Sequence, residues 1–220
     1  MTGYAVHRLD EIDEITDGRE PWRPVRHHFG ITSFGVNAWT GAAAGDRVIN
    51  EHDEAGDAEE LYLVHSGRAT FELDGERVDA AAGTFVFARP GVMRTAFAEE
   101  AGTTILAIGG TPGEAYEPDG WELWAPVAPL FYAGRYAEAA DRTRELAVTR
   151  PELPMLTYML ACCESKAGRT DAALEALRAA AVSRRMRMIA ARDPDLDPIR
   201  AAPAFSEIIA PPAATPRPDR

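Results

Sequence analysis

Five short runs in the first half of this 220-residue chain, VINEHDE, ELYLVHS, ATFELDGERVDA, GTFVFARP and TTILAIGG, are rich in β-branched and aromatic residues. Turns containing Gly or Asp separate them, which is the pattern of short strands. No segment of helical length lies between the runs. Parallel strands need a crossover of a dozen or more residues, so these strands must pair antiparallel, as a sandwich or a barrel. Within ATFELDG, Phe71 and Leu73 share a face opposite Glu72. The Asp-Gly step of LDGE (73–76) accepts the positive φ that a tight hairpin turn demands.

From Trp121 the period changes. APLFYAGRYAEAADRTRELAVTRP and PMLTYMLACCESKAGRTDAALEALRAAAVS carry small and apolar residues at i, i+3, i+4 spacing, with Gly breaks. AGRYAEAA (133–140) aligns with AGRTDAAL (167–174), matching Gly134 to Gly168 and Ala139 to Ala173, and Pro151 closes the first unit. This period resembles the tetratricopeptide repeat, although the large aromatic expected early in the second unit is absent. So short an array needs another surface to cap it, and the β half is the candidate. The expected layout is an N-terminal extension (1–34) packing on a β-barrel (35–115), a junction at YEPDG (116–120), a helical domain (121–209) and a disordered tail (210–220).

Charge narrows the partners. The net charge is −12, so neither nucleic acid nor an acidic membrane surface is expected to bind. The opening MTGYAVHRLDEIDE lacks a basic stretch followed by an apolar run, and no segment is apolar enough to span a membrane. The only cysteines, Cys162 and Cys163, are adjacent within a helical pattern and cannot form an ordinary bridge with each other. These features are those of a reduced, cytoplasmic protein.

The stretch GDRVINEHDEAGDAEELYLVHSG (45–67) is followed, sixteen residues beyond Gly67, by GTFVFARPGVMR from Gly83. Together they resemble the two motifs of the cupin family over residues 35 to 112. The resemblance implies a small antiparallel jelly-roll barrel, often dimeric, with a pocket inside. In many members three His and one Glu hold a divalent transition metal there.

That ligand set does not carry over intact. Glu60 matches the family's glutamate, with six residues between it and Gly67. The paired histidines reduce to NEHDE, which offers either His52 with Glu54 or Glu51 with Asp53. Residues two apart on a strand share a face, which favours grouping His52 with Glu54. At the third histidine, fixed by the Pro-Gly turn three residues earlier at Gly91, stands Arg94. A guanidinium has no lone pair and ligates no metal. If a divalent metal were nevertheless held, its ligands would be His52, Glu54 and Glu60, a poor set for a soft ion.

Arg94 then has two readings: an internal ion pair with Glu60 or Glu54, or a fork for a substrate carboxylate or phosphate. The residues assigned to a ligand are Arg94, Glu60, His52, Glu54 and Tyr62. His65, an odd number of residues from Glu60, is expected to point away from the site. WRPVRHHFG (22–30) gathers Arg23, Arg26, His27 and His28, and is read as a solvated edge or an arm at the barrel mouth. Neighbouring strand residues point to opposite faces, so His27 and His28 do not make a metal pair. RRMRM (184–188) is read as a short basic turn, and the two cysteines as buried helix packing.

Three functions remain open. The chain is a small-molecule binder with a degenerate metal site and a pocket for an anionic or polar ligand. Alternatively it is a metal-dependent enzyme of isomerase or dioxygenase type, or a non-catalytic scaffold acting through its helices. A homodimer is expected from the resemblance, as is a protein partner on residues 121–209.

Overall fold

A computed structural model describes residues 4–16, 21–53 and 57–210, and the statements below concern those residues. The chain divides into two compact units, Met1–Pro118 and Asp119–Arg220.

The first unit holds nine strands and a short helix. In chain order they are β1 (Trp22–Arg23), α1 (Val25–Phe29), β2 (Gly35–Thr40), β3 (Arg47–His52), β4 (Glu59–Ser66), β5 (Arg68–Leu73), β6 (Glu76–Ala81), β7 (Phe85–Ala88), β8 (Arg94–Ala98) and β9 (Thr104–Gly110). They form two antiparallel sheets, β1-β2-β9-β4-β7 and β3-β8-β5-β6. Leaving β1 aside, that is the order of an eight-strand jelly roll, the cupin-like fold. The sheets face one another without joining into one hydrogen-bonded cylinder, so the expected barrel is an open sandwich. β1, from the N-terminal segment, lengthens the first sheet by pairing with β2, and stacks Trp22 on Trp39 with centroids 5.2 Å apart.

Alternation along the strands fills the space between the sheets. Tyr62, Val64, Phe71, Ala80, Ala96 and Ile105 have no exposed surface and belong to one core. The β5–β6 hairpin turns on Asp74 (φ 50) and Gly75 (φ 86), the two positive values that a type I′ turn requires.

WRPVRHHFG departs from expectation. It is a two-residue strand followed by a helical turn, so His27 and His28 lie on α1 and not on a strand edge. Pro24 precedes that turn as its N-cap and Gly30 stops it in the left-handed region.

The second unit contains α2 (Gly120–Leu123), α3 (Ala128–Tyr132), α4 (Tyr136–Thr149), α5 (Pro154–Lys166), α6 (Thr170–Ala180), α7 (Arg184–Ala190) and α8 (Pro203–Ile209). The two aligned segments are built alike. Gly134 and Gly168 both have φ 76, each just ahead of a helix, and Ala139 and Ala173 are both fully buried. RRMRM belongs to α7, capped by the Ser183 hydroxyl accepting from the Met186 N–H, and is not a turn. Leu156, Ala161, Leu177, Leu196 and Phe205 lie in the helical interior. Cys162 and Cys163 are free and buried, and burial raises both thiol pKa values, so they pack as inert side chains. The expected tail lies outside the described residues, save Ala210. No described helix is long and apolar enough to cross a membrane.

Candidate functional site

The site is set by a turn. Pro90 and Gly91 occupy the centre of a tight turn closed by the Val92 N–H donating to the Arg89 carbonyl at 3.2 Å, with Gly91 at φ 81. Only Gly takes that conformation cheaply at the third position of a type II turn. The next loop residue is pinned from the neighbouring hairpin, where the Met93 N–H donates to Asp74 Oδ1 at 2.9 Å. β8 therefore starts at Arg94 with its side chain directed between the sheets, beside its cross-strand partner His52 on β3.

Opposite, on β4, Glu60 and Tyr62 project inward. Register places Glu60 in a row with Gly109 and Ala88, and next to Gly109 stands Gly35. Three of the four inward positions at this end of the first sheet thus carry one side-chain carbon or none. The row beneath holds Asn37, Ala107, Tyr62 and Val86, and below that the interior is apolar.

Four donors converge on one oxygen, Glu60 Oε2. Arg94 gives two, from Nε at 3.1 Å and Nη2 at 2.9 Å. The Tyr62 hydroxyl gives a third, and His52 Nε2 lies 3.2 Å away. Arg94 also donates to the Tyr62 oxygen at 3.2 Å and, through Nη1, to the Val92 carbonyl at 2.8 Å. No described hydrogen bond reaches Glu60 Oε1. Burial is graded: the Arg94 and Tyr62 side chains are sealed, that of Glu60 is 16% exposed and that of His52 33%. The cluster thus opens to solvent on the side of Glu60 and His52.

Protonation follows from these contacts. His52 has an acceptor at each nitrogen, the Asn50 carbonyl at 2.7 Å from Nδ1 and Glu60 at Nε2. A neutral imidazole has one N–H, so only the imidazolium satisfies both. The Glu60 hydrogen bond accordingly raises the His52 pKa against the opposing pull of burial. For Glu60, burial works to raise the pKa, but donation from His52, Tyr62 and Arg94 outweighs it and the carboxyl lies below its usual range. Burial, joined by the Glu60 charge, drives the Tyr62 phenol strongly upward, keeping it a neutral donor. Burial lowers the Arg94 pKa, yet the Tyr62 and Glu60 contacts reverse the sign and hold it fully charged.

The structure therefore gathers His52, Glu60, Tyr62 and Arg94. Glu54 lies outside the described residues. His65 is exposed on β4, facing away from the cluster. Arg94 makes the internal ion pair with Glu60, which spends on a resident carboxylate the fork otherwise assigned to a bound anion.

Two contributors escaped sequence reasoning. The Tyr116 ring lies against Gly35, 2.6 Å from where a Cβ would stand, and the Arg26 guanidinium sits over that ring, 5.6 Å from its centroid. Gly109 leaves room for Glu60, since a Cβ there would meet Glu60 Cγ at 3.0 Å. Neither glycine belongs to a motif, and Tyr116 sits in the junction stretch, so nothing in the sequence marked them.

A divalent transition ion does not suit this donor set. Glu60 Oε2, the oxygen nearest His52 Nε2, is already held by a guanidinium at 2.9 Å, and the only imidazole among these residues spends Nε2 on that same oxygen. Among the described residues no group of three or more His, Cys, Asp or Glu could hold a metal ion.

No protein-family model matches the chain, and no curated protein matches it. Solved structures do resemble it. A cupin protein from Bacteroides fragilis is 21% identical with a TM-score of 0.41, covering 54% of this chain and 92% of that one. KdgF from a Halomonas species is 14% identical with a TM-score of 0.42, covering 54% and 98%. Pac13 from Streptomyces, a nucleoside dehydratase, is 16% identical with a TM-score of 0.37, covering 49% and 82%.

Proposed function

We propose that the chain binds a small, neutral, polar molecule at the open end of its jelly roll, with Glu60 as the recognising group. The observation that carries this is the asymmetry of the carboxylate. Oε2 takes hydrogen bonds from Arg94, Tyr62 and His52, whereas among the described residues none reaches Oε1, and the Glu60 side chain is 16% exposed. An immobilised, partly exposed carboxylate has the chemistry to accept from a ligand hydroxyl or amide, and its register neighbours Gly109 and Ala88 bring no bulky side chain of their own. The described charges, two cations against one carboxylate, disfavour a cationic ligand. In this reading Arg94 and Tyr62 orient Glu60 and do not themselves touch the ligand. The helical unit would be a tetratricopeptide-like array that meets a protein partner, supported by its duplicated Gly134 and Gly168 turns.

A thermal-shift screen of neutral polyols, sugars and nucleosides tests the proposal. At least one compound is expected to raise the melting temperature of the wild type and to lose that effect in Glu60→Gln. The reading fails if every hit stabilises both proteins equally, or if purified protein carries one equivalent of Mn, Fe, Ni or Zn.

A further inference from the structure

Tyr116 stands at the open end of the jelly roll, although it belongs to no strand. Gly35 and Trp39 are four residues apart on β2 and so share a face, and Trp39 packs against the core between the sheets. The Cβ that Gly35 lacks would therefore point inward. The atoms it would strike first, at 2.6 Å, are Cε2, Cζ and Oη of Tyr116. Next in the row is Gly109, and 3.8 Å from the place of its missing Cβ lies Glu60 Oε1. Neighbouring Cβ positions in such a row are about 5 Å apart. The phenol ring and Glu60 Oε1 thus lie over adjacent glycines.

The slot and its occupant are held with different firmness. Gly35 is built into β2 and pairs with Gly109. Arg26, whose guanidinium lies over the ring, is buried. It donates from Nη1 to the Ile31 carbonyl at 3.1 Å, and its own carbonyl accepts from the Ile31 N–H at 3.0 Å. Tyr116 is attached more loosely. From residue 111 to 119 the chain forms neither helix nor strand, and Pro112, Gly113, Glu114, Ala115 and Glu117 are exposed. So little burial lets a segment open locally at far lower cost than the strands around it.

We infer that Tyr116 is a built-in occupant of the ligand site, and that the ligand displacing it carries a neutral aromatic or heteroaromatic ring. This rests on the Glu60 reading for the polar end of the ligand and adds the other end. A flat ring already fits on the bare backbone of Gly35 with a guanidinium over it, a pairing that favours a π face. A second cation beside Arg26 would be repelled, so the ring is uncharged. An O–H or N–H on that ring, directed along the row, faces Glu60 Oε1. Such a ligand competes with the phenol, and its apparent affinity is lowered by the fraction of molecules in which Tyr116 fills the slot.

Isothermal titration calorimetry of the full chain with p-cresol, the tyrosine side chain cut free at its Cβ, tests this. Tyr116→Ala is expected to bind p-cresol roughly 10-fold more tightly than the wild type, or better, because the competing ring is gone. Tyr116→Phe keeps a ring in the slot and is expected to bind as weakly as the wild type. Adding Gly35→Ala to Tyr116→Ala puts a methyl group into the slot and is expected to remove the gain. No gain in Tyr116→Ala overturns the inference, and so does an equal gain in Tyr116→Phe. A gain that survives Gly35→Ala does the same, since it places p-cresol elsewhere. Loss of the wild-type circular dichroism spectrum in Tyr116→Ala also overturns it, because a displaceable side chain is not one the fold depends on. None of these outcomes involves Glu60, whose reading fails separately, if compounds that stabilise the wild type stabilise Glu60→Gln equally.

Discussion

At Arg94 a full positive charge has been taken out of water, which is tolerable only because Glu60, Tyr62 and the Val92 carbonyl answer it. Removing one partner of such a pair exposes the other to the penalty. Arg94→Leu is expected to destabilise the first unit by about 3 kcal/mol in denaturant unfolding, since the sealed guanidinium is hydrogen-bonded to Glu60, Tyr62 and the Val92 carbonyl. Combining it with Glu60→Leu should cost clearly less than the sum of the two single changes, the signature of direct coupling. Protonation adds a second residue-scale prediction. The His52 pKa is raised on folding, so its stabilising contribution is complete below the ordinary value of 6.5 and fades as pH climbs through the folded value. Glu60 behaves oppositely: its contribution is present above the ordinary value of 4.5 and fades as pH falls through the lowered folded value. Unfolding free energies of the wild type and His52→Gln, measured from pH 6 upward, are therefore expected to converge as the pH rises. A constant gap would mean that folding leaves the His52 pKa unshifted.

Strands and turns hold these residues in place, and they are tested through positions where a side chain has no room. Gly35→Ala would drive a methyl group into the Tyr116 ring, and Gly109→Ala would press on Glu60 Cγ and the Glu59 carbonyl. Each is expected to cost about 1 to 3 kcal/mol, the usual range for overpacking, and Gly109→Ala should also loosen the Glu60–Arg94 pair. Chemical denaturation gives the first quantity. The pH dependence of stability reads the second, since a looser pair lets the Glu60 pKa drift back upward. In the helical unit, Gly168→Ala places a Cβ on a residue at φ 76 and is expected to cost about 1 to 2 kcal/mol. The same change at Gly134 should behave alike, because the two turns share one conformation. These elements were legible to different degrees. The alternation of ATFELDG and the Asp-Gly hairpin are local signals, and both appear as read. WRPVRHHFG was misjudged because two strand residues followed by one helical turn are too short for any period to show.

For the molecule as a whole, charge is the first determinant of behaviour in solution. With −12 distributed over the chain, self-repulsion opposes compactness and salt screens it. The melting temperature is expected to rise by several degrees between roughly 10 mM and 300 mM sodium chloride, as differential scanning calorimetry would show. A flat response would mean that opposite charges are already paired closely enough to cancel the repulsion. From the sequence alone came an antiparallel β half, a helical half with a duplicated turn, and an arginine fixed by a Pro-Gly turn to face the interior. All are matters of local period and local backbone preference, which a chain displays before it folds. Packing alone decided that Glu60 takes four donors on one oxygen and that Tyr116 lies on Gly35. Those arrangements join strands distant in the chain, and pairing register, which no short segment contains, determines which side chains meet.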